Sequence, residues 1–79
     1  MKRQDMLRIF EEFVKAEANS ISDGTLIIDI PTWDSLKNVE FRMLVEDQFG
    51  QDLDGVKVDK AKTVGDLLDL VAELGFLEA

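Results

Sequence analysis

The chain has 79 residues, 9 basic and 17 acidic side chains, a net charge of −8, 46% hydrophobic residues, and no Cys or His. These figures describe one small folded domain with too little interior for both a core and a deep substrate cleft. The acidity argues against nucleic acid and anionic membrane as partners. The missing Cys and His remove disulfides, thiolate chemistry and the usual general base, so an enzyme is not expected.

Lys2, Arg3 and Arg8 crowd the start, and acid dominates from Glu11 onward; the simplest use of such charge is solubility. No run is apolar enough to span a bilayer, and the polar start lacks a signal-peptide core, so a cytoplasmic location is expected. From Gln4 to Glu17, apolar residues at Met6, Leu7, Ile9, Phe10, Phe13 and Val14 make one stripe of a helix, with Glu11, Glu12 and Lys15 facing water. Turn residues between Ala18 and Gly24 end it.

Leu26 to Ile30 reads LIIDI and has no evident strand to pair with. It is expected to be an extended loop whose isoleucines plug a helical core, and Pro31 keeps Ile30 out of helical geometry. Thr32-Trp33-Asp34-Ser35 supplies several N-cap candidates. A second helix is predicted from Ser35 to Phe49, stopped by Gly50. A polar connection follows from Asp52 to Lys62, with a short helical turn near Val56 to Lys60. Thr63 caps a last helix from Val64 to about Leu74, whose apolar face is Val64, Leu67, Leu68 and Val71. The expected fold is all-α: a small four-helix bundle of three main helices and one short one, spanning residues 1–79 as a single domain.

The second helix has two apolar faces. At about 100° per residue, Phe41, Val45 and Phe49 form a core stripe with Leu44 at its flank. Leu36, Val39 and Met43 fall nearly opposite, beside Glu40 and Asp47. Either the LIIDI loop or the last helix covers them, or they form a small apolar interface with an acidic rim. Ser35 sits at the helix start between the two faces. There it is either an ordinary N-cap or an exposed nucleophile at the positive end of the helix dipole, where a phosphodiester is favoured.

Trp33-Asp34-Ser35-Leu36, then Val39-Glu40, then Glu46-Asp47-Gln48-Phe49-Gly50 resembles the attachment region of acyl carrier proteins. The likeness extends through Leu53, Asp59-Lys60 and Thr63-Val64, and upstream to Asp29-Ile30 with one extra residue around Pro31. The resemblance implies that Ser35 bears 4′-phosphopantetheine, transferred from coenzyme A by a separate phosphopantetheinyl transferase. Cargo would travel as a thioester on the arm's thiol, and the carrier would do no chemistry itself. It further implies that Asp34 and Leu36 flank the attachment, and that Val39, Glu40, Met43 and Asp47 complete a docking surface. The partners would be acyl-loading and acyl-using enzymes with basic docking surfaces, met by a monomer in fatty acid or polyketide biosynthesis.

Lys37 stands where many fatty-acid carriers have an acid, and Arg42 where they have a small aliphatic residue facing the core. Both departures point to a dedicated carrier in a specialised pathway. The Arg42 guanidinium either snorkels to water or a nearby acid, or narrows the inter-helix space where such carriers shelter a fatty chain.

Three other readings compete with this one. An EF-hand around Asp52-Leu53-Asp54-Gly55 fails, because aligning Gly55 with the loop glycine puts Gly50 and Ala61 where acidic ligands are required. An aminoacyl or peptidyl carrier fits the same interface. An unmodified helical adaptor would keep the two-faced helix and use Ser35 only as a cap.

Overall fold

A computed structural model describes residues 1–78. Four α-helices follow in order: α1 (Arg3–Val14), α2 (Ser35–Phe49), α3 (Gly55–Lys60) and α4 (Val64–Glu73), with one 3-10 turn, Ile27–Asp29, in the long α1–α2 connection. The fold is the expected all-α bundle.

Helix α1 buries Met6, Phe10 and Val14, which recur every fourth residue and so share one face. It ends at Val14, three residues before the end expected at Glu17. Lys15 adopts a left-handed conformation (φ 59°), and the Ala16 N–H reaches back to the Glu11 carbonyl at 2.8 Å. This is a Schellman-like closure made without glycine. Glu11, expected to face water, is instead only 3% exposed. The chain after the turn folds back over it, and the Ile21 N–H donates to Glu11 Oε2 at 3.0 Å.

The LIIDI segment is partly extended and partly coiled. Leu26 pairs with Thr63 in a single antiparallel bridge, with the Ile27 N–H donating to Lys62 O and the Val64 N–H to Thr25 O, each at 2.9 Å. Then the 3-10 turn begins. Residues three apart eclipse in such a turn, so Ile27 and Ile30 both enter the core while Ile28 is left 87% exposed. The turn therefore plugs the core with two of its three isoleucines.

Phe41 and Val45 of α2 and Val58 of α3 meet Val64, Leu67, Leu68 and Val71 of α4 in one core. Phe10 stands edge-on to Phe41 with ring centres 5.8 Å apart, joining α1 to α2. Thr63 and Asp66 form a capping box at the start of α4. Arg3 ties α1 to α4 through Gly65 O at 3.0 Å and Asp69 at 2.9 Å. The ends clasp one another: the Glu78 N–H donates to Met1 O at 2.8 Å, and Phe76 stacks on Phe49.

Candidate functional site

The start of α2 is built by its neighbours. Asp34 is extended and lends Oδ1 to the Lys37 N–H at 3.1 Å, so the N-cap is Asp34 and not Ser35. Trp33 lies flat against Phe10 of α1, with ring centres 5.8 Å apart and planes inclined by 22°. Thr32 Oγ1 donates to Val14 O at 2.9 Å, fixing the approach to the same helix. With its entry anchored in this way, α2 begins at a defined place and angle.

Ser35 is the first residue of α2 and is exposed. Among the described residues its side chain makes no hydrogen bond. The hydroxyl thus stands free at the positive end of a 15-residue helix, a setting that favours an attached anion. Among the described residues no titratable side chain is hydrogen-bonded to it.

Lys37 does not present its charge there. Its ammonium sits 4.6 Å from the centre of the Phe13 ring, donates to Phe13 O at 3.4 Å and lies 3.6 Å from Glu40. Arg42 also turns away from Ser35. Its guanidinium grips Asp52 with two bonds, Nη2–Oδ2 at 2.7 Å and Nε–Oδ1 at 3.2 Å, and reaches Leu53 O at 3.2 Å. Of the two outcomes open to Arg42, pairing with a nearby acid is the one observed. The hydrogen bond and charge of Arg42 hold the Asp52 carboxyl below the usual carboxylate value, and those of Asp52 raise Arg42 in turn.

Leu36, Val39 and Met43 are 59%, 49% and 59% exposed, so neither the loop nor α4 covers them. Asp34, Ser35 and Leu36 share the helix start. Val39, Glu40 and Met43 continue along the next two turns, and Asp47 lies one turn further, about 18 Å along the axis from Ser35.

A groove of about 500 Å³ is lined by Ile27, Trp33, Asn38, Val58, Asp59 and Ala61, and Trp33 and Asn38 flank Ser35 in the chain. Asn38 is three residues on from Ser35 and so a neighbour on the helix surface. Sequence reasoning missed Asn38 and Asp59 in this role. Trp33 was the available signal: a lone indole next to the serine, needing a partner for its N–H.

Of the residues lining the groove, Asp59 and Lys62 are the ionisable ones, and no cluster of acids fit to hold a metal occurs among the described residues. No helix among them is long and apolar enough to cross a membrane. The free hydroxyl at a helix start fits a phosphodiester-linked arm.

No protein-family model matches the sequence, and no curated protein matches it. Among solved structures, the holo acyl carrier protein of Geobacter metallireducens, determined by solution NMR, superposes with a TM-score of 0.72 and 26% identity. The match covers 100% of this chain and 98% of that one. Over its whole length the chain is similar to an acyl carrier protein.

Proposed function

We propose that this protein carries acyl groups as thioesters on a 4′-phosphopantetheine arm attached to Ser35 and delivers them to partner enzymes. The observation that carries the reading is Ser35 itself: exposed, free of structural bonds, and first in α2 of a fold similar to a holo acyl carrier protein. Asp34 fixes the helix start behind it, and Leu36 lies exposed beside it. The arm, when attached, supplies the thiol that this Cys-free chain lacks. The chain's own residues hold the attachment point still and keep its hydroxyl in water.

The docking surface of this reading is Leu36, Val39 and Met43 with Glu40 and Asp47 at the rim. Partners are a phosphopantetheinyl transferase and enzymes presenting Lys or Arg around a shallow apolar spot. The carrier acts as a monomer in the cytoplasm and performs no catalysis.

The test is mass spectrometry after incubation with a broad-specificity transferase, coenzyme A and magnesium. One phosphopantetheine per chain is expected, and none on Ser35→Ala. Modification that persists in Ser35→Ala would place the arm elsewhere and end the assignment.

A further inference from the structure

Three side chains cross the groove in a continuous hydrogen-bonded chain. Trp33 Nε1 donates to Asn38 Oδ1 at 3.0 Å, and Asn38 Nδ2 donates to Asp59 Oδ1 at 2.9 Å. The chemistry of the ends sets the direction of the middle. An indole N–H can only donate and an ionised carboxylate can only accept, so the linking group must accept on one side and donate on the other. The asparagine amide does both. The chain thereby joins the segment leading into Ser35, the second turn of α2 and the last turn of α3.

Helix α3 is tied to α2 at two places of unequal strength. Near its start, Arg42 holds Asp52 and Leu53 O, and the guanidinium lies so close to Gly55 that a Cβ there would stand 2.8 Å from Nη1. Near its end the hydrogen bond to α2 is Asn38–Asp59, with Asp59 exposed and Val58 packed in the core. A two-pronged guanidinium–carboxylate pair is the stronger link and a single amide–carboxylate bond the weaker. The polar links to α2 thus hold the start of α3 more firmly than its end, and the end borders the groove.

We propose that Asn38 is a specificity-determining residue: by bridging Trp33 to Asp59 it keeps α2 and α3 closed beneath the groove, so that the cargo taken is a short acyl group bearing a hydroxyl or amide. This rests on the carrier reading of Ser35. A long alkyl chain entering between α2 and α3 must part Asn38 from Asp59, and where it also shifts Asn38 it strips the partner from a half-buried indole N–H. A short polar group instead lies along the rim, where Asn38 retains one amide hydrogen and Asp59 a second carboxylate oxygen.

The experiment loads the arm of the holo protein with octanoyl or 3-hydroxybutyryl and records amide and indole NMR shifts against the unloaded holo form. The chain contains 1 Trp, so the indole resonance is unambiguous. In the wild type, 3-hydroxybutyryl should move the Trp33 indole signal, and octanoyl should leave the Phe41, Val45, Leu68 and Val71 amides in place. Asn38→Ala should let octanoyl move those core amides. Asp59→Ala, which cuts the same bond from an exposed position, should do likewise and guards against a misfolded Asn38 variant. Octanoyl-induced core shifts in the wild type would overturn the proposal, as would an Asp59→Ala protein that responds like the wild type. Failure of Ser35 to take up phosphopantetheine would overturn the carrier reading and this proposal together; a wrong response in the loaded protein overturns this proposal alone.

Discussion

Asp34 Oδ1 takes the Lys37 N–H at 3.1 Å, which leaves the Ser35 hydroxyl without a structural bond. Asp34→Ala should therefore cost about 1 kcal/mol of stability, whereas Ser35→Ala should change it by less than about 0.5 kcal/mol. Urea unfolding of both variants checks this, and an equal loss in Ser35→Ala would mean that the serine holds the helix. The sequence offered three capping candidates, Thr32, Asp34 and Ser35, and no means of choosing, because the choice depends on how Trp33 and Thr32 lock onto α1. Glu11 was not legible at all, since the N–H groups that bury it arrive from a loop beyond the helix. Burial pushes the Glu11 carboxyl up, but the N–H groups of Ile21, Asn19 and Ser20 and the charge of Arg8 outweigh it, and the net shift is below the ordinary 4.5. A group lowered by folding contributes stability that is present above its unfolded value and is lost as pH falls through the lowered folded value. Melting temperature should fall on acidification below about pH 4.5. Glu11→Gln should melt lower at neutral pH and show a shallower acid limb. That limb should not be flat, because Asp52 and Asp66 are lowered too. A variant with the wild-type acid profile would remove Glu11 from the account.

Helix α2 was legible to the residue, Ser35–Phe49, because its signals are local: a polar cluster before it, and Gly50 after it in a left-handed conformation (φ 75°). Helix α1 ran past its true end in the sequence reading because Lys15 takes up the same left-handed geometry with a side chain that gives no warning of it. The LIIDI turn was only half legible, because its pairing partner lies beyond α3, at Lys62 and Thr63. Gly65 carries the same lesson for α4. A Cβ there would stand 2.8 Å from Asp23 O, a backbone atom of the α1–α2 connection, to which the Gly65 N–H donates at 2.8 Å. Gly65→Ala must push that connection away from α4, and overpacking of this kind costs about 1–3 kcal/mol. Gly24→Ala, where nothing lies within 4 Å of the added carbon, should leave the melting temperature nearly unchanged. Thermal unfolding of the two variants separates a close approach from a general intolerance of alanine.

At the scale of the whole molecule, the three arginines are spent on the fold. Arg3 pairs with Asp23 and Asp69, Arg8 with Glu11, and Arg42 with Asp52. Lys37 is folded onto Phe13 beside Glu40. The opening cluster of positive charge, which in the sequence reads as a solubility feature, is thus partly internal bracing. What remains for a partner along α2 is exposed Leu36, Val39 and Met43 with Glu46 and Asp47, a small apolar strip under a negative field. Such a field acts on the encounter and the strip on the lifetime of the complex. Reversing Asp47 to Lys should slow association with the transferase severalfold and flatten its salt dependence. The same reversal at Glu40 should do so less cleanly, because it also frees Lys37. Met43→Ala should leave the association rate alone and raise the dissociation rate severalfold. Stopped-flow association at two salt concentrations distinguishes these effects, and a transferase indifferent to all three substitutions would put the docking surface on another face of the bundle.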